Sequence, residues 1–412
     1  MLEISGAHKI QTILLLSILL FICVHSTPDS PLIKDLLTVE IFSYYKAIFF
    51  GLLILSLIAL AFKELVNVYS TFLLQAFVAS VAVYFFYMLT LSPTFSPQSM
   101  GEVYEKMSGS PFSQTLGWYY RRLLHVAIPF FLKSLNIKFI YFHYFFLFFS
   151  VLSFSLLVFQ ALQKRRLRII GVIVLGSFLG PYFYYHLKFP GYPDPLALGL
   201  YTLTLAEPTF KKLHLRLPLI ALSLSCGEQI IFTMFATEMI LAFLQGTESY
   251  TGKISLRTVS ENIMYPVGLL LIYLFIWFLL NSFNAHRLIE SQTQIGTTPA
   301  YQFPINNPLD YLAGIFYSFK FFWFLPVIWI ASWRWATYEI RGALTICALF
   351  VGLVATIVAV DTSRIGTLML PLFLLITIQT VRSKKLALIL IVLAFLNLAV
   401  KNENWFVHTG KI

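Results

Sequence analysis

Residues 70–91 form a run of 22 without one charged side chain. A run of that length and polarity is long enough to cross a bilayer as a helix. Comparable runs recur from one end of the chain to the other. In hydrocarbon every backbone N–H and C=O must be satisfied within the segment, so spanning segments of an open chain are helical. The sequence therefore predicts an all-α fold, a polytopic transmembrane helix bundle of about 11–13 spans. Composition agrees, with 58% hydrophobic and 11% charged residues and a mean hydropathy of +0.80, against about a quarter charged in ordinary soluble domains. The whole of 1–412 reads as a single integral membrane domain. Spans within 1–91 lead to a non-cytoplasmic loop over 92–137, and the remaining spans lie in 138–412.

Candidate spans fall at 9–25, 47–62, 70–91, 138–162, 169–185, 195–207, 217–226, 228–244, 263–281, 311–331, 343–360, 365–381 and 386–400. The first reads as a retained span rather than a cleaved signal, because a polytopic chain needs no separate export signal. The net charge of +11 sits mostly in short loops between spans. That matches positive-inside loops near anionic lipid and gives no reason to expect nucleic acid. Cys23, Cys226 and Cys347 lie in or beside apolar segments without metal-ligand or disulfide spacing, so packing is their expected role.

Basic loops set the orientation. They are Lys164-Arg165-Arg166-Leu167-Arg168, Lys211-Lys212 with Arg216, Lys253 with Arg257, Arg334 with Arg341, and Arg382-Ser383-Lys384-Lys385. All fall on the cytoplasmic side only if 217–244 is a hairpin of two short helices broken at Cys226-Gly227-Glu228, where a glycine beside a charge interrupts the apolar run. The N-terminus is then cytoplasmic and the C-terminus outside. In this topology all five aspartates, Asp29, Asp35, Asp194, Asp310 and Asp361, lie on the non-cytoplasmic side, although acids contribute little to orientation.

Four constellations on that side carry polar chemistry. In the first, Gly101-Glu102-Val103-Tyr104-Glu105-Lys106 precedes Trp118-Tyr119-Tyr120-Arg121-Arg122 in one loop. The planar fork of Arg suits phosphate and aromatic faces suit sugar rings, while the same residue types also anchor interfacial helices. The apolar run after Arg121-Arg122 predicts an interfacial helix near 123–135. In the second, Lys188-Phe189-Pro190-Gly191-Tyr192-Pro193-Asp194-Pro195 is a rigid turn ending in an acid, for which helix capping is the ordinary role. The third is Glu228 at the hairpin tip, a carboxylate at membrane depth and so a candidate to line a cavity; Glu238, deeper in the next half-helix, reads as structural. The fourth is Asp361-Thr362-Ser363-Arg364, either a self-paired turn or a phosphate-holding Arg364 oriented by Asp361. His125, His143 and His186 sit among aromatics and read as packed side chains. No nucleotide-binding motif is present, so a transferase of this kind would draw on a membrane-borne donor.

Gly101-Glu102-Val103-Tyr104, Tyr120-Arg121-Arg122-Leu123-Leu124 with Pro129, Gly227-Glu228 and Asp361-Thr362-Ser363-Arg364, in this order over 98–381, resemble the polytopic GT-C class of glycosyltransferases, bacterial type without a large soluble domain. The Gly-acid-x-Tyr feature stands after the third span here, whereas the class places its acid in the first non-cytoplasmic loop. The resemblance implies transfer of a sugar from a polyprenyl-phosphate donor to a glycan, lipid or protein acceptor, in the bacterial inner membrane. It makes Glu102 and Asp361 the catalytic candidates, and Arg121, Arg122, Glu228, Arg364, Tyr104 and Tyr120 the substrate- and phosphate-binding ones. The class leaves room for a divalent metal, and no ligand spacing here calls for one. The alternatives are a lipid-linked polysaccharide polymerase or ligase and a multi-pass transporter or flippase. Charge asymmetry predicts that cysteines placed in 382–385 resist external labelling while cysteines in 401–412 react. The reverse pattern overturns the hairpin at Gly227.

Overall fold

The protein is described by a computed structural model. It covers residues 63–98, 100–109, 122–162, 165–206, 213–227, 229–246, 264, 267–268, 271, 306–331, 338–357, 362–381, 384–402, 405–406 and 410–411. Helices follow one another as α1 (Lys63–Thr90), α2 (Met100–Gly109), α3 (Leu123–Phe131), α4 (Phe139–Ala161), α5 (Arg165–Phe178), α6 (Gly180–Lys188), α7 (Asp194–Thr204) and α8 (Leu213–Leu224). Then come α9 (Ile230–Gly246), α10 (Pro308–Phe319), α11 (Phe324–Ala331), α12 (Tyr338–Ile357), α13 (Thr362–Thr367), α14 (Leu370–Val381) and α15 (Lys384–Ala399). Among the described residues the only strands are β1 (Trp405–Phe406) and β2 (Gly410–Lys411), a two-residue antiparallel ladder.

Three stretches are long and apolar enough to cross a membrane: Phe72–Thr90, Phe139–Ala161 and Pro308–Ala331. Arg168–Phe178 with Gly180–Lys188 makes a fourth if its 43° bend lies within one span. These helices are consistent with an integral membrane protein. Helix α4 is apolar around its whole circumference and buried along it, which makes it the axis of the bundle; α1, α5, α7 and α14 pack on it. Two of its serines are paired inside the core, Ser155 with Ser80 at 2.9 Å and Ser150 with the Tyr182 hydroxyl at 2.9 Å. The outermost helices turn large apolar side chains outward, among them Val78, Phe86 and Leu89 on α1 and Leu388, Val392 and Phe395 on α15. Apolar faces of that extent suit lipid contact.

The bend between α5 and α6 has a local cause. Pro181 has no N–H, so the Ser177 carbonyl four residues back loses its helical donor. Asn397 Nδ2 takes that carbonyl at 3.3 Å, and the Tyr87 hydroxyl takes the adjacent Gly176 carbonyl. Asn397 Oδ1 also accepts from the Phe321 N–H at 3.0 Å. Lys320, at φ +50 where α10 ends, donates to the carbonyls of Asn397 at 3.2 Å and of Val400, and to Asn402 Oδ1 at 2.6 Å. A buried ammonium thus closes the last turn of α15, where the helix dipole favours a cation.

The bundle has two chemically distinct ends. At one, Arg168 at the start of α5 donates to the Leu162 carbonyl at 2.7 Å and to Gln75 at 3.0 Å. Asn397 near the end of α15 bonds Ser177 near the end of α5, so these two helix ends lie together. At the other end the last turn of α6 meets the segment after α1: the Thr94 N–H donates to the Leu187 carbonyl at 2.8 Å and Lys188 to the Ser92 carbonyl at 3.4 Å.

One expectation is corrected. Arg216 is not a loop charge beside Lys211-Lys212. It lies on α8, buried, paired with Glu238 of α9, whose carboxylate also accepts from the Tyr201 hydroxyl at 3.3 Å. Only a few residues inside its helix, the arginine can turn its long side chain into the bundle, where a buried carboxylate needs a cation.

Replacing Lys320 by Met keeps the bulk and removes the donors to three acceptors. Unfolding in detergent should become easier by about 2–3 kcal/mol, the scale of a charged hydrogen bond lost in a buried place. An unchanged unfolding temperature would show that the ammonium does not hold α15.

Candidate functional site

The site begins with two glycines in backbone contact. Gly191 stands at φ +108, a conformation that L side chains rarely adopt. A Cβ on it would lie 2.6 Å from the Gly101 Cα, and a Cβ on Gly101 would lie 2.1 Å from the Pro190 carbonyl oxygen. The Gln98 N–H donates to that same oxygen at 3.3 Å. The start of α2 is thereby pressed onto the turn between α6 and α7, which unites the first and second constellations.

That contact brings four tyrosine and arginine side chains into one line. Tyr104 is buried on α2, and its ring meets Tyr192 edge-on with centroids 6.3 Å apart. Arg122, half-buried at the start of α3, donates from Nη1 to the Tyr104 hydroxyl and sits 5.9 Å from its ring centroid. Arg364 of α13 lies 4.4 Å from the Tyr192 centroid and 5.6 Å from that of Tyr185, both within cation–π range. Its Nη1 donates to Asp194 Oδ2 at 3.1 Å across 170 positions of sequence. Both side chains of this ion pair are 7% exposed.

Behind the line lie His125, His143 and His186, all buried. His125 meets Tyr104 and Phe139 edge-on at 5.6 and 5.4 Å. Burial pushes it well below its ordinary value, and the neighbouring His143 and Arg122 push the same way, so at neutral pH it carries no charge for an anion. His143 and His186 face each other with ring centroids 5.5 Å apart. The break between α8 and α9 abuts the same place, since the Leu124 N–H donates to the Ser225 carbonyl at 3.3 Å.

Of the residues singled out from sequence, Tyr104, Arg122 and Arg364 belong to this cluster. Glu102 is exposed on the first turn of α2, two residues from Tyr104. Arg121, Tyr120, Glu228 and Asp361 lie outside the described residues. Asp194 and Tyr192 acquire a part that local reading did not assign them. Asp194 does not cap: α7 is preceded by Pro193, no side-chain cap bond is made, and the carboxylate serves Arg364 instead. The signal that could have found it is charge: an acid and an arginine, each between apolar segments on one side, must be neutralised by something. Among the described residues no three His, Cys, Asp or Glu side chains converge as metal ligands. No known family model matches the chain, and neither a curated protein nor a solved structure matches it.

Changing Gly191 to Ala should lower stability by about 1–3 kcal/mol through backbone strain alone, with the clash against Gly101 added. Gly109→Ala, whose Cβ meets nothing within 4 Å, is the matched control. Equal unfolding temperatures for the two variants would mean that α2 is not docked on the turn.

Proposed function

We propose that this chain is a multi-pass protein of the bacterial inner membrane, with about thirteen spans, that transfers a sugar from a polyprenyl-phosphate donor to a glycan, lipid or protein acceptor on the non-cytoplasmic face. The observation that carries the reading is the convergence of Arg122 and Arg364 on one set of tyrosine rings, at the end of the bundle away from Arg168. Guanidinium groups are the side chains best suited to a phosphate, by their planar fork. Tyrosine faces offer flat apolar surface to a sugar ring. The exposed Phe131 and Leu135, at and after the end of α3, support an interfacial position for that helix at the same end.

In this reading Arg122, with Arg121 beside it in sequence, and Arg364 steady the phosphate as it departs with the electron pair of the broken sugar–oxygen bond. Glu102 takes the proton from the attacking acceptor hydroxyl. Tyr104 holds Arg122 in place through its hydroxyl and its ring, and Tyr120 and Glu228 line the site. Asp361 precedes α13 and orients Arg364.

Single-turnover transfer from a polyprenyl-phosphate sugar tests the assignment. Glu102→Gln should slow transfer by about a hundredfold to ten-thousandfold, the range for a lost general base. Arg122→Lys should weaken donor binding instead, because a point charge does not replace the fork. Normal transfer by Glu102→Gln would move the base to Asp29, Asp35 or Asp361. If the intact protein turns over no lipid-linked sugar, the transferase reading fails and the transporter becomes the better account.

A further inference from the structure

Three histidines from three helices meet behind the tyrosine line: His125 on α3, His143 on α4 and His186 on α6, each without exposed surface. His143 and His186 face each other with ring centroids 5.5 Å apart, and His125 is near enough to both for electrostatic interaction. His143 is anchored, its Nε2 donating to the His186 carbonyl at 3.1 Å. The other two rings are not. Among the described residues both ring nitrogens of His125 and both of His186 lack a hydrogen-bond partner.

An imidazole cannot escape that state by turning one bond. The buried hydroxyls of Thr345 and Thr377 also lack a partner, but a hydroxyl rotates and can fall back on a carbonyl of its own preceding turn. Ring nitrogens are fixed in direction, and a neutral imidazole in either tautomer presents one donor and one acceptor. The aromatic surroundings serve only half of that need. His125 meets Tyr104 and Phe139 edge-on, and His186 meets Tyr182 and Tyr185 in the same way. An N–H directed at a ring face regains a fraction of a hydrogen bond, whereas a lone pair directed there regains nothing. The hydroxyl of the adjacent Tyr182 is already engaged with Ser150 at 2.9 Å. Phenylalanine would carry no such demand, as Phe139 and Phe146 show beside His125.

Buried polar atoms of native proteins are met by protein groups or by ordered water. A metal ion suits this cluster poorly, because among the described residues no three His, Cys, Asp or Glu side chains converge as ligands. Water suits it, being small and able both to donate and to accept between polar groups.

We infer that the histidine cluster is an internal water site: ordered waters donate to the bare nitrogen of His125 and of His186 and accept from the N–H of each ring. The site is independent of the function proposed above. It places exchangeable protons directly behind Tyr104 and Tyr185, in a core that is mainly aromatic and aliphatic.

The test uses the full-length protein, labelled with 15N and reconstituted in phospholipid bilayers. Water-edited solid-state NMR passes magnetisation from water protons to nitrogens close to them. The pairs His125-Val126 and Tyr185-His186 each occur once in the sequence, so residue-pair labelling assigns both histidines without any substitution. Their ring nitrogens should gain intensity from water several-fold faster than the backbone amides of Leu147 and Val151, which are buried on α4. The unprotonated nitrogen of each ring should also resonate upfield of an unbonded imidazole nitrogen, as a hydrogen-bond acceptor does. Transfer to either ring no faster than to those amides, or an unbonded nitrogen position for either ring, overturns the inference.

Discussion

Polar groups inside an apolar bundle must find their partners there, because little water is available to take them and an unsatisfied group costs several kcal/mol in hydrocarbon. The junction around Asn397 shows how much of the architecture this one requirement organises. Pro181 bends a long helix and strands a carbonyl; Asn397 reaches across from α15 to accept that burden, and the same side chain receives the N–H of Phe321. Lys320 then closes the carbonyl end of α15. Three parts of the chain far apart in sequence are registered against one another through a single amide and a single ammonium.

The same demand governs the charges. Arg216 and Arg364 enter the bundle, and each is met by a carboxylate from another helix. Such pairs add little net stability compared with well-packed apolar residues, yet breaking one leaves an uncompensated charge and is severe. They therefore fix which helices can be neighbours. Arg216–Glu238 couples the two short helices of the interrupted hairpin. Arg364–Asp194 couples α13 to the turn that carries Tyr192. The contact between Gly101 and Gly191 completes this second linkage, bringing α2 with Tyr104 onto the same turn.

The cations of the candidate site are placed by aromatic rings as well as by charge. Arg122 and Arg364 both lean on tyrosine rings, and these contacts help to fix their positions. In the function proposed above, a phosphate-bearing donor presented from the membrane surface would meet both. The end of the bundle marked by Arg168 lies opposite; in the function proposed above this separates the charges that orient the chain in a membrane from those that meet the donor.

The helices themselves were legible in the sequence. Long apolar runs at 70–91, 138–162 and 311–331 admit little besides helix, since period and polarity leave the backbone no other way to satisfy itself. The break at Cys226-Gly227 was written in its residue types, whereas the bend at Gly180-Pro181 falls inside 169–185, which reads as one span, and emerged only in the structure. Part of the site was legible too, because arginine is costly among apolar segments and so marks itself: Arg122 and Arg364 could be singled out one by one. Their partners could not. Asp194 before Pro195 has the local look of a cap, and only the packing of α13 against α6 and α7 turns its carboxylate to Arg364. Arg216 reads as a loop charge until α8 and α9 are set side by side. A local pattern states what a residue would do for its own helix, whereas the pairing of buried charges depends on which distant element fills the next place in the bundle, and that is a property of the tertiary fold alone.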